Sequence, residues 1–154
     1  MIRKATRADV LRFVQLGQEF WYESDAHLTF GEYNPIHVQR SLDQGFSNQT
    51  LLGWASSDGA GSTPSSGIVV NNTTSLWNGN KILKEMAWFC PKEKRGSLEC
   101  IRLYKQVEEF AIKNNYYQII MSRIKGVPSY AKLGDFYERQ GFYHLEDDYV
   151  KSLK

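Results

Sequence analysis

Two repeating patterns of apolar residues run along this chain, and together they predict a domain of alternating strands and helices. Strand-like runs occupy residues 2–6, 50–56, 68–74, 82–90 and 116–122, with one or two further strands in 142–153. Helical spacing occupies residues 7–24, 36–45, 97–115 and 130–140. Asn78-Gly79 is a strong hairpin signal before the fourth strand, and Gly45 and Gly141 are predicted to end their helices. The alternation predicts an α/β fold class.

The strand 82–90 leads directly into a long helix and carries the first candidate residue. Side chains of a strand alternate between its two faces. The sequence therefore predicts one shared face for Leu83, Glu85, Ala87 and Phe89, on which Glu85 is the only acid. In the helix that follows, apolar spacing predicts a buried stripe of Leu98, Ile101, Tyr104, Val107 and Ala111.

The turn between that strand and helix has the composition of an anion site. A proline ends the strand, basic residues follow, and Gly96 precedes a helix start at Ser97. A helix start presents free backbone N–H groups and the positive end of the helix dipole, and Arg95 adds a planar donor suited to phosphate. A pyrophosphate fits such a place. The alternative is that Ser97 is an ordinary N-cap and that Lys92, Lys94 and Arg95 form a solvated turn.

Composition narrows the class of protein. A length of 154 residues suits one domain spanning 1–154, and a net charge of +2 is too small to indicate nucleic acid or an anionic membrane as partner. No apolar run reaches the roughly 18 residues of a membrane span, and the N-terminal residues lack a signal peptide, so we expect a cytoplasmic protein with no membrane partner. Cys90 and Cys100 are expected to be free thiols in a reducing compartment. Neither the cysteines nor the histidines show metal-type spacing, so no metal site is predicted.

The order of these elements, together with two motifs, resembles the GNAT N-acetyltransferase superfamily across nearly the whole chain. The segment Phe136 to Phe142, FYERQGF, is similar to the family's FYEKLGF segment. The family's coenzyme signature is Arg or Gln, then x-x-Gly-x-Gly/Ala, and here it has Arg95 first but Leu98 and Cys100 at the two small-residue positions. Tyr130 stands where the family usually has a small, asparagine-like residue.

The resemblance implies a single GNAT-like domain whose central sheet is mixed, mostly antiparallel and flanked by helices. It implies acetyl-CoA as cofactor and direct transfer of its acetyl group to a primary amine of a protein, a peptide or a small molecule. The implied coenzyme-binding residues are the main chain of one strand end and the turn after it: Trp88, Phe89, Cys90, Arg95, Gly96, Ser97, Leu98, Glu99 and Cys100.

Glu85 and Tyr137 stand at the catalytic positions that the resemblance implies. An amine with a pKa of about 10.4 costs roughly 4–5 kcal/mol to deprotonate at pH 7, and a base at Glu85 would remove much of that cost. The apolar strand around Glu85 would raise its pKa toward the useful range. Tyr137 stands where the family's tyrosine donates to the coenzyme sulfur. The alternatives are a strand glutamate paired with a lysine, and a tyrosine ring that packs on the sheet.

The acceptor side is predicted only in outline. Trp21, Tyr22 and Glu32 would form an aromatic, acidic mouth for a cationic amine, with core aromatics and solvated acids as the alternative. The acceptor stays unidentified, and a homodimer is left open. Two rival functions remain: a catalytically degenerate GNAT-fold module that binds acyl-CoA or another protein, and a less favoured nucleic-acid module. The latter would use a basic patch of Lys92, Lys94, Arg95, Arg102 and Lys105.

Overall fold

One five-stranded sheet organises the computed structural model, which describes residues 1–125, 130–151 and 153. The strands lie in chain order: β1 (Ile2–Lys4), β2 (Leu51–Ser56), β3 (Ser66–Thr74), β4 (Lys81–Phe89) and β5 (Gln118–Ile120). Neighbours from β1 to β4 pair antiparallel, whereas β5 pairs parallel to β4. The predicted fold class, a mixed and mostly antiparallel sheet flanked by helices, is confirmed.

Helices cover both faces of this sheet. They are α1 (Val10–Glu23), α2 (Ala26–Phe30), α3 (Pro35–Asn48), α4 (Leu98–Lys113) and α5 (Tyr130–Arg139). On one face, side chains of α1 and α3 pack in a cluster with Ala55, Val69 and Phe89. On the other, side chains of α4 pack with Trp54, Ile68 and Leu83. Burying each large side chain contributes about 1.5–3 kcal/mol, so the two clusters fix the helices on the sheet. No helix in the described ranges is both long and apolar enough for a membrane span.

Two predictions depend on glycines: the turn at Gly79 is confirmed, and the end of α3 at Gly45 is wrong. Gly79 has φ 71° in the turn between β3 and β4, as the hairpin signal predicts. The predicted end of α3 at Gly45 is wrong, because the helix continues to Asn48 and Gln49 then takes φ 61°. At Gly45 the missing side chain allows close packing, since a Cβ there would lie 2.5 Å from the Leu51 side chain.

A β-bulge in β4 changes which residues share a face. Val69 lies opposite Ala87, but Val70 lies opposite Glu85, so Met86 is an extra residue on β4. Side chains directly opposite each other point to the same face of a sheet. Glu85 therefore shares the α4 face with Val70, whereas Ala87 joins the α1 face. The predicted single face for Leu83, Glu85, Ala87 and Phe89 is wrong, because Met86 inverts the alternation.

The sheet also splits at this point. β5 pairs with β4 only from Ile82 to Lys84, and β4 continues to Phe89 beyond the end of β5. In the described chain, the β5-side edge of β4 therefore has no strand partner from Glu85 onward. This opening between the two strands is the cleft in which the candidate site lies.

Two further predictions are wrong. Leu98 is 68% exposed, because it opens the first turn of α4, and the buried stripe runs through Cys100, Leu103, Tyr104, Val107 and Ala111 instead. In the predicted segment 142–153, no strand forms over residues 142–151, where Tyr143, Leu145 and Tyr149 are exposed and no neighbouring strand pairs with the chain, and residue 152 lies outside the described residues. Apolar alternation alone did not distinguish this tail from a strand.

The close approach of α1 to β3 gives a test of the fold. A Cβ on Gly67 would lie 2.7 Å from the ring of Phe13, which is fully buried. Gly67→Ala should therefore destabilise the protein by about 1–3 kcal/mol through overpacking. Urea unfolding measures this, with Gly59→Ala in the β2–β3 loop as the control expected to change stability by less than about 0.5 kcal/mol. Equal stability of the two variants would contradict the packing described.

Candidate active site

Glu85 and Tyr137 converge on one residue in the cleft between β4 and β5. The backbone N–H of Ser122 donates to Glu85 Oε2 at 3.2 Å. The hydroxyl of Tyr137, from α5, donates to the carbonyl oxygen of the same Ser122 at 3.0 Å. Ser122 lies two residues beyond the end of β5, so the cleft brings together groups from β4, β5 and α5. Sequence reasoning missed Ser122, because it contributes its main chain and no side-chain type marks it.

The electrostatic environment suits a base beside a neutral hydroxyl. Loss of hydration raises the pKa of the half-buried Glu85 to about 7, against the opposing effect of the Ser122 N–H. Burial raises the pKa of Tyr137 well above its ordinary value, and the nearby Glu85 charge raises that pKa further. Tyr137 therefore keeps its proton near neutral pH. No ion pair of Glu85 with a lysine is present in the described chain, contrary to the alternative interpretation of this residue.

Aromatic rings support the α4 side of the cleft. Trp88 lies 6.0 Å from Phe136 and 6.4 Å from Tyr104, measured between ring centroids. Phe136 thus provides ring packing on the sheet side of α5 while the Tyr137 hydroxyl bonds to Ser122. The indole N–H of Trp88 is buried and has no hydrogen-bond partner among the described residues.

The turn after β4 has the geometry of an anion-binding helix start. A 3₁₀ turn spans Lys92–Lys94, Gly96 takes φ 76°, and the Ser97 side chain caps α4 by accepting from the Cys100 N–H at 3.4 Å. In the described chain no hydrogen bond uses the N–H groups of Gly96, Leu98 and Glu99. These donors remain available at the positive end of the α4 dipole.

Two cations of this turn, Lys94 and Arg95, already have acidic partners. Arg95 makes two short hydrogen bonds to the Glu23 carboxylate, at 2.8 and 2.6 Å, and its Nε donates to the Cys90 carbonyl at 3.1 Å. Lys94 Nζ lies 3.3 Å from Glu99 Oε2. The sequence predicted the cations here but not the carboxylates that hold them, since Glu23 is 72 residues away from Arg95 in the chain.

The two cysteines form a disulfide, so the prediction of free thiols is wrong. Cys90 follows the last residue of β4 and Cys100 lies in the first turn of α4, with their Cα atoms 6.5 Å apart. The turn folds back so that α4 begins beside the end of β4, which brings the two sulfur atoms together. The disulfide closes the base of the turn that holds the free N–H groups.

The residues predicted for the acceptor side lie close together at the end of α1. Tyr22 donates its hydroxyl to Glu32 Oε2 at 2.7 Å, and the indole N–H of Trp21 donates to the Gly31 carbonyl at 2.9 Å. The Trp21 ring lies 6.0 Å from the ring of Tyr33. The Nδ1 atom of His27 is buried and has no hydrogen-bond partner in the described chain. Glu23, beside Trp21 and Tyr22, connects this group to Arg95 and the turn.

Comparison with known proteins identifies the fold. No protein-family model matches the sequence, and no curated protein sequence matches it. A probable acetyltransferase superposes with a TM-score of 0.77 at 12% identity, over 100% of this chain and 98% of that chain. A predicted acetyltransferase of Clostridium acetobutylicum, solved with acetyl-CoA, superposes with a TM-score of 0.75 at 14% identity, covering 99% and 96%. The ribosomal-protein-alanine N-acetyltransferase of Brucella melitensis biovar Abortus 2308 gives 0.71 at 11% identity, covering 99% of both chains.

At such identities the likeness shows the fold, which is that of the GNAT-type acetyltransferases. This fold extends over the chain from end to end. The resemblance read from the two sequence motifs is confirmed at the level of the fold. Activity and substrate need arguments from the residues of the cleft.

The raised pKa of Glu85 predicts a pH-dependent stability. Because its folded-state pKa of about 7 exceeds the ordinary 4.5, the folded protein binds the proton more tightly than the unfolded chain. The stabilising contribution is complete below about pH 4.5 and is lost as pH rises through 7. Glu85→Gln removes this dependence. The free energy of unfolding of the variant minus that of the wild type should therefore be larger at pH 8 than at pH 5, by on the order of 2–3 kcal/mol.

Urea unfolding of both proteins at the two pH values measures this difference. The exposed Glu138→Gln on α5 is the control and should shift stability equally at both. A Glu85→Gln effect that is the same at pH 5 and pH 8 would show that Glu85 titrates like an ordinary surface carboxyl.

Proposed function

We propose that this protein is an acetyl-CoA-dependent N-acetyltransferase that moves the acetyl group to a primary amine by direct attack. The observation that carries the proposal is the convergence of Glu85 and Tyr137 on Ser122 in the cleft where β4 leaves β5. A base and a hydroxyl donor thus face the opening between the strands, next to a helix start with free N–H groups. Superposition on acetyltransferases over nearly the full chain supports this assignment.

The coenzyme would bind along the unpaired edge of β4. The main chain of Trp88, Phe89 and Cys90 lies beyond the end of β5, so its polar groups on that side can pair with the amide groups of a pantetheine arm. The pyrophosphate would then lie at the turn from Arg95 to Cys100, on the N–H groups at the start of α4. Cys90 is not available as an acyl-carrying nucleophile while its sulfur is in the disulfide.

The chemistry assigns one role to each side chain. The neutral amine nitrogen attacks the thioester carbonyl carbon, a C–N bond forms, and the amine proton passes to Glu85 directly or through a water. Bound acetyl-CoA would supply the thioester, whose C–S bond would break as the C–N bond forms, and the coenzyme would leave as its thiolate. Glu85 suits this task because its pKa of about 7 leaves much of it ionised at neutral pH and basic enough to accept the proton.

Tyr137 is better suited to donate a hydrogen bond than to transfer its proton. An ordinary thiol has a pKa of about 8.5. Burial raises the pKa of the Tyr137 hydroxyl far above that of the coenzyme thiol, whose thiolate is the leaving group. Full transfer would be uphill. When the hydroxyl turns from the Ser122 carbonyl to the sulfur, its hydrogen bond to the developing thiolate stabilises the charge where it forms. This refines the acid role implied by the family resemblance.

A specific observation also supports a second candidate, a GNAT-fold module that binds acyl-CoA without efficient turnover. Cys100 stands at a small-residue position of the signature and is tied to Cys90, while Arg95 is held by Glu23. The disulfide and the ion pair both involve residues of the turn that would bind the coenzyme, so both would affect how tightly it binds. The nucleic-acid alternative is disfavoured, because three cations of its basic patch are paired with carboxylates: Lys94 with Glu99, Arg95 with Glu23, and Lys105 with Glu108.

Turnover tests the roles of Glu85 and Tyr137. With acetyl-CoA and a panel of lysine peptides, protein N-termini and polyamines as acceptors, Glu85→Gln should lower kcat by about a hundredfold while acetyl-CoA affinity holds. The wild-type rate should rise with pH through about 7, where Glu85 ionises. The deficit of the variant should shrink toward pH 9, because more of the amine is already neutral.

Tyr137→Phe is the matched second variant. It should slow transfer from acetyl-CoA but be less damaging with an activated thioester whose thiolate leaves without a hydrogen-bond donor. Two variants that turn over like the wild type from pH 6 to 9 would contradict both roles. Binding of acetyl-CoA with no turnover of any acceptor would favour the second candidate.

A further inference from the structure

We propose that Glu23 holds Arg95 in the free protein and that bound coenzyme takes Arg95 from it, which loosens the end of α1. This inference rests on the proposed function and concerns how the coenzyme and acceptor sides of that site are coupled. It assigns a gating role to Glu23, a residue outside the coenzyme signature.

The present partners of Arg95 leave it placed for such an exchange. Its guanidinium is bonded to both carboxylate oxygens of Glu23, at 2.8 and 2.6 Å, and it projects from the residue just before Gly96. The free N–H groups of the turn begin at Gly96. An anion bound there would lie beside a guanidinium that is already engaged by a carboxylate.

The ion pair between Arg95 and Glu23 is weak enough for Arg95 to change partners. The side chains of Arg95 and Glu23 are 26% and 36% exposed, so water screens their attraction. Ion pairs exposed to this degree contribute little to protein stability. A pyrophosphate carries more charge than a carboxylate and also meets the N–H groups at the start of α4, so it competes favourably for Arg95. Lys94 is less free to change partners, because its Nζ contacts Glu99, Asp58 and the Ser65 hydroxyl at the same time.

The position of Glu23 explains why its release would matter. Glu23 is the last residue of α1, where the negative end of the helix dipole disfavours a carboxylate. Arg95 compensates for that charge in the free protein. Without Arg95, the carboxylate is left unpaired at the helix end, two residues before the left-handed Asp25 that leads into α2. The last turn of α1 also carries Trp21 and Tyr22, the residues predicted for the acceptor side.

Coenzyme binding is therefore expected to loosen the acceptor side before the amine arrives. By thermodynamic linkage, any change that loosens the hold of Glu23 on Arg95 should also tighten coenzyme binding. The coupling needs no motion of the sheet, only a change of partner at one guanidinium.

Calorimetric titration of acetyl-CoA into the full chain and its variants tests the exchange. Glu23→Gln should tighten binding about two- to fivefold, the affinity equivalent of an exposed ion pair. Glu93→Gln, which removes an acid from the same turn that is not paired with Arg95, is the control and should change affinity much less. In the Arg95→Ala background, Glu23→Gln should have no effect, because the cation for which the two anions compete is absent.

Hydrogen exchange provides the structural readout. Acetyl-CoA should speed exchange in residues 19–30 of the wild type, and Glu23→Gln should show part of that increase without ligand. The proposed change of partner at Arg95 is wrong if Glu23→Gln binds acetyl-CoA no more tightly than the wild type. It is also wrong if Glu23→Gln tightens binding equally when Arg95 is alanine. If the wild type does not bind acetyl-CoA, the proposed function fails and the exchange with it. Tight wild-type binding with no effect of Glu23→Gln overturns the exchange alone.

Discussion

The extra residue that β4 carries at Met86 determines where the chemistry of this fold can lie. An uninterrupted strand would keep Glu85 on the face of Ala87 and Phe89, inside the cluster formed with α1 and α3. The bulge places Glu85 on the α4 face, just where the pairing with β5 ends. A bulge bends a strand and increases its twist, which is consistent with β4 leaving β5 at this point. One inserted residue thus provides both the cleft and the carboxylate in it.

The charges around the cleft follow from how much water each keeps. Glu85 loses hydration and, among the described residues, accepts a hydrogen bond from the Ser122 N–H, and the loss of hydration raises its pKa to about 7. Lys94 and Arg95 in the turn keep partial contact with water and are paired with nearby acids. The raised pKa of Glu85 and the paired charges of Lys94 and Arg95 are thus two outcomes of desolvation and pairing.

Local signals allowed much of the fold to be predicted, and long-range contacts account for the errors. The Asn78-Gly79 turn and the Ser97 cap depend on a few neighbouring residues, and both were predicted. The bulge was not, because Met86 fits an alternating strand as well as its neighbours do. The disulfide needed the fold-back of the turn, and Ser122 contributes only its main chain. Glu85 and Tyr137 were proposed as catalytic residues from the family resemblance, since nothing local relates a strand glutamate to a tyrosine on α5.

The most direct test of this account is hydrogen exchange of the wild-type chain with and without acetyl-CoA. If the coenzyme binds along the edge of β4 and at the start of α4, amides in residues 86–90 and 96–100 should gain protection at saturating ligand. The β1–β2 side of the sheet, at the opposite edge, should stay unchanged apart from a uniform effect of global stabilisation. Saturable binding without protection at β4 and the turn would contradict the proposed site, and no binding at all would contradict the proposed function.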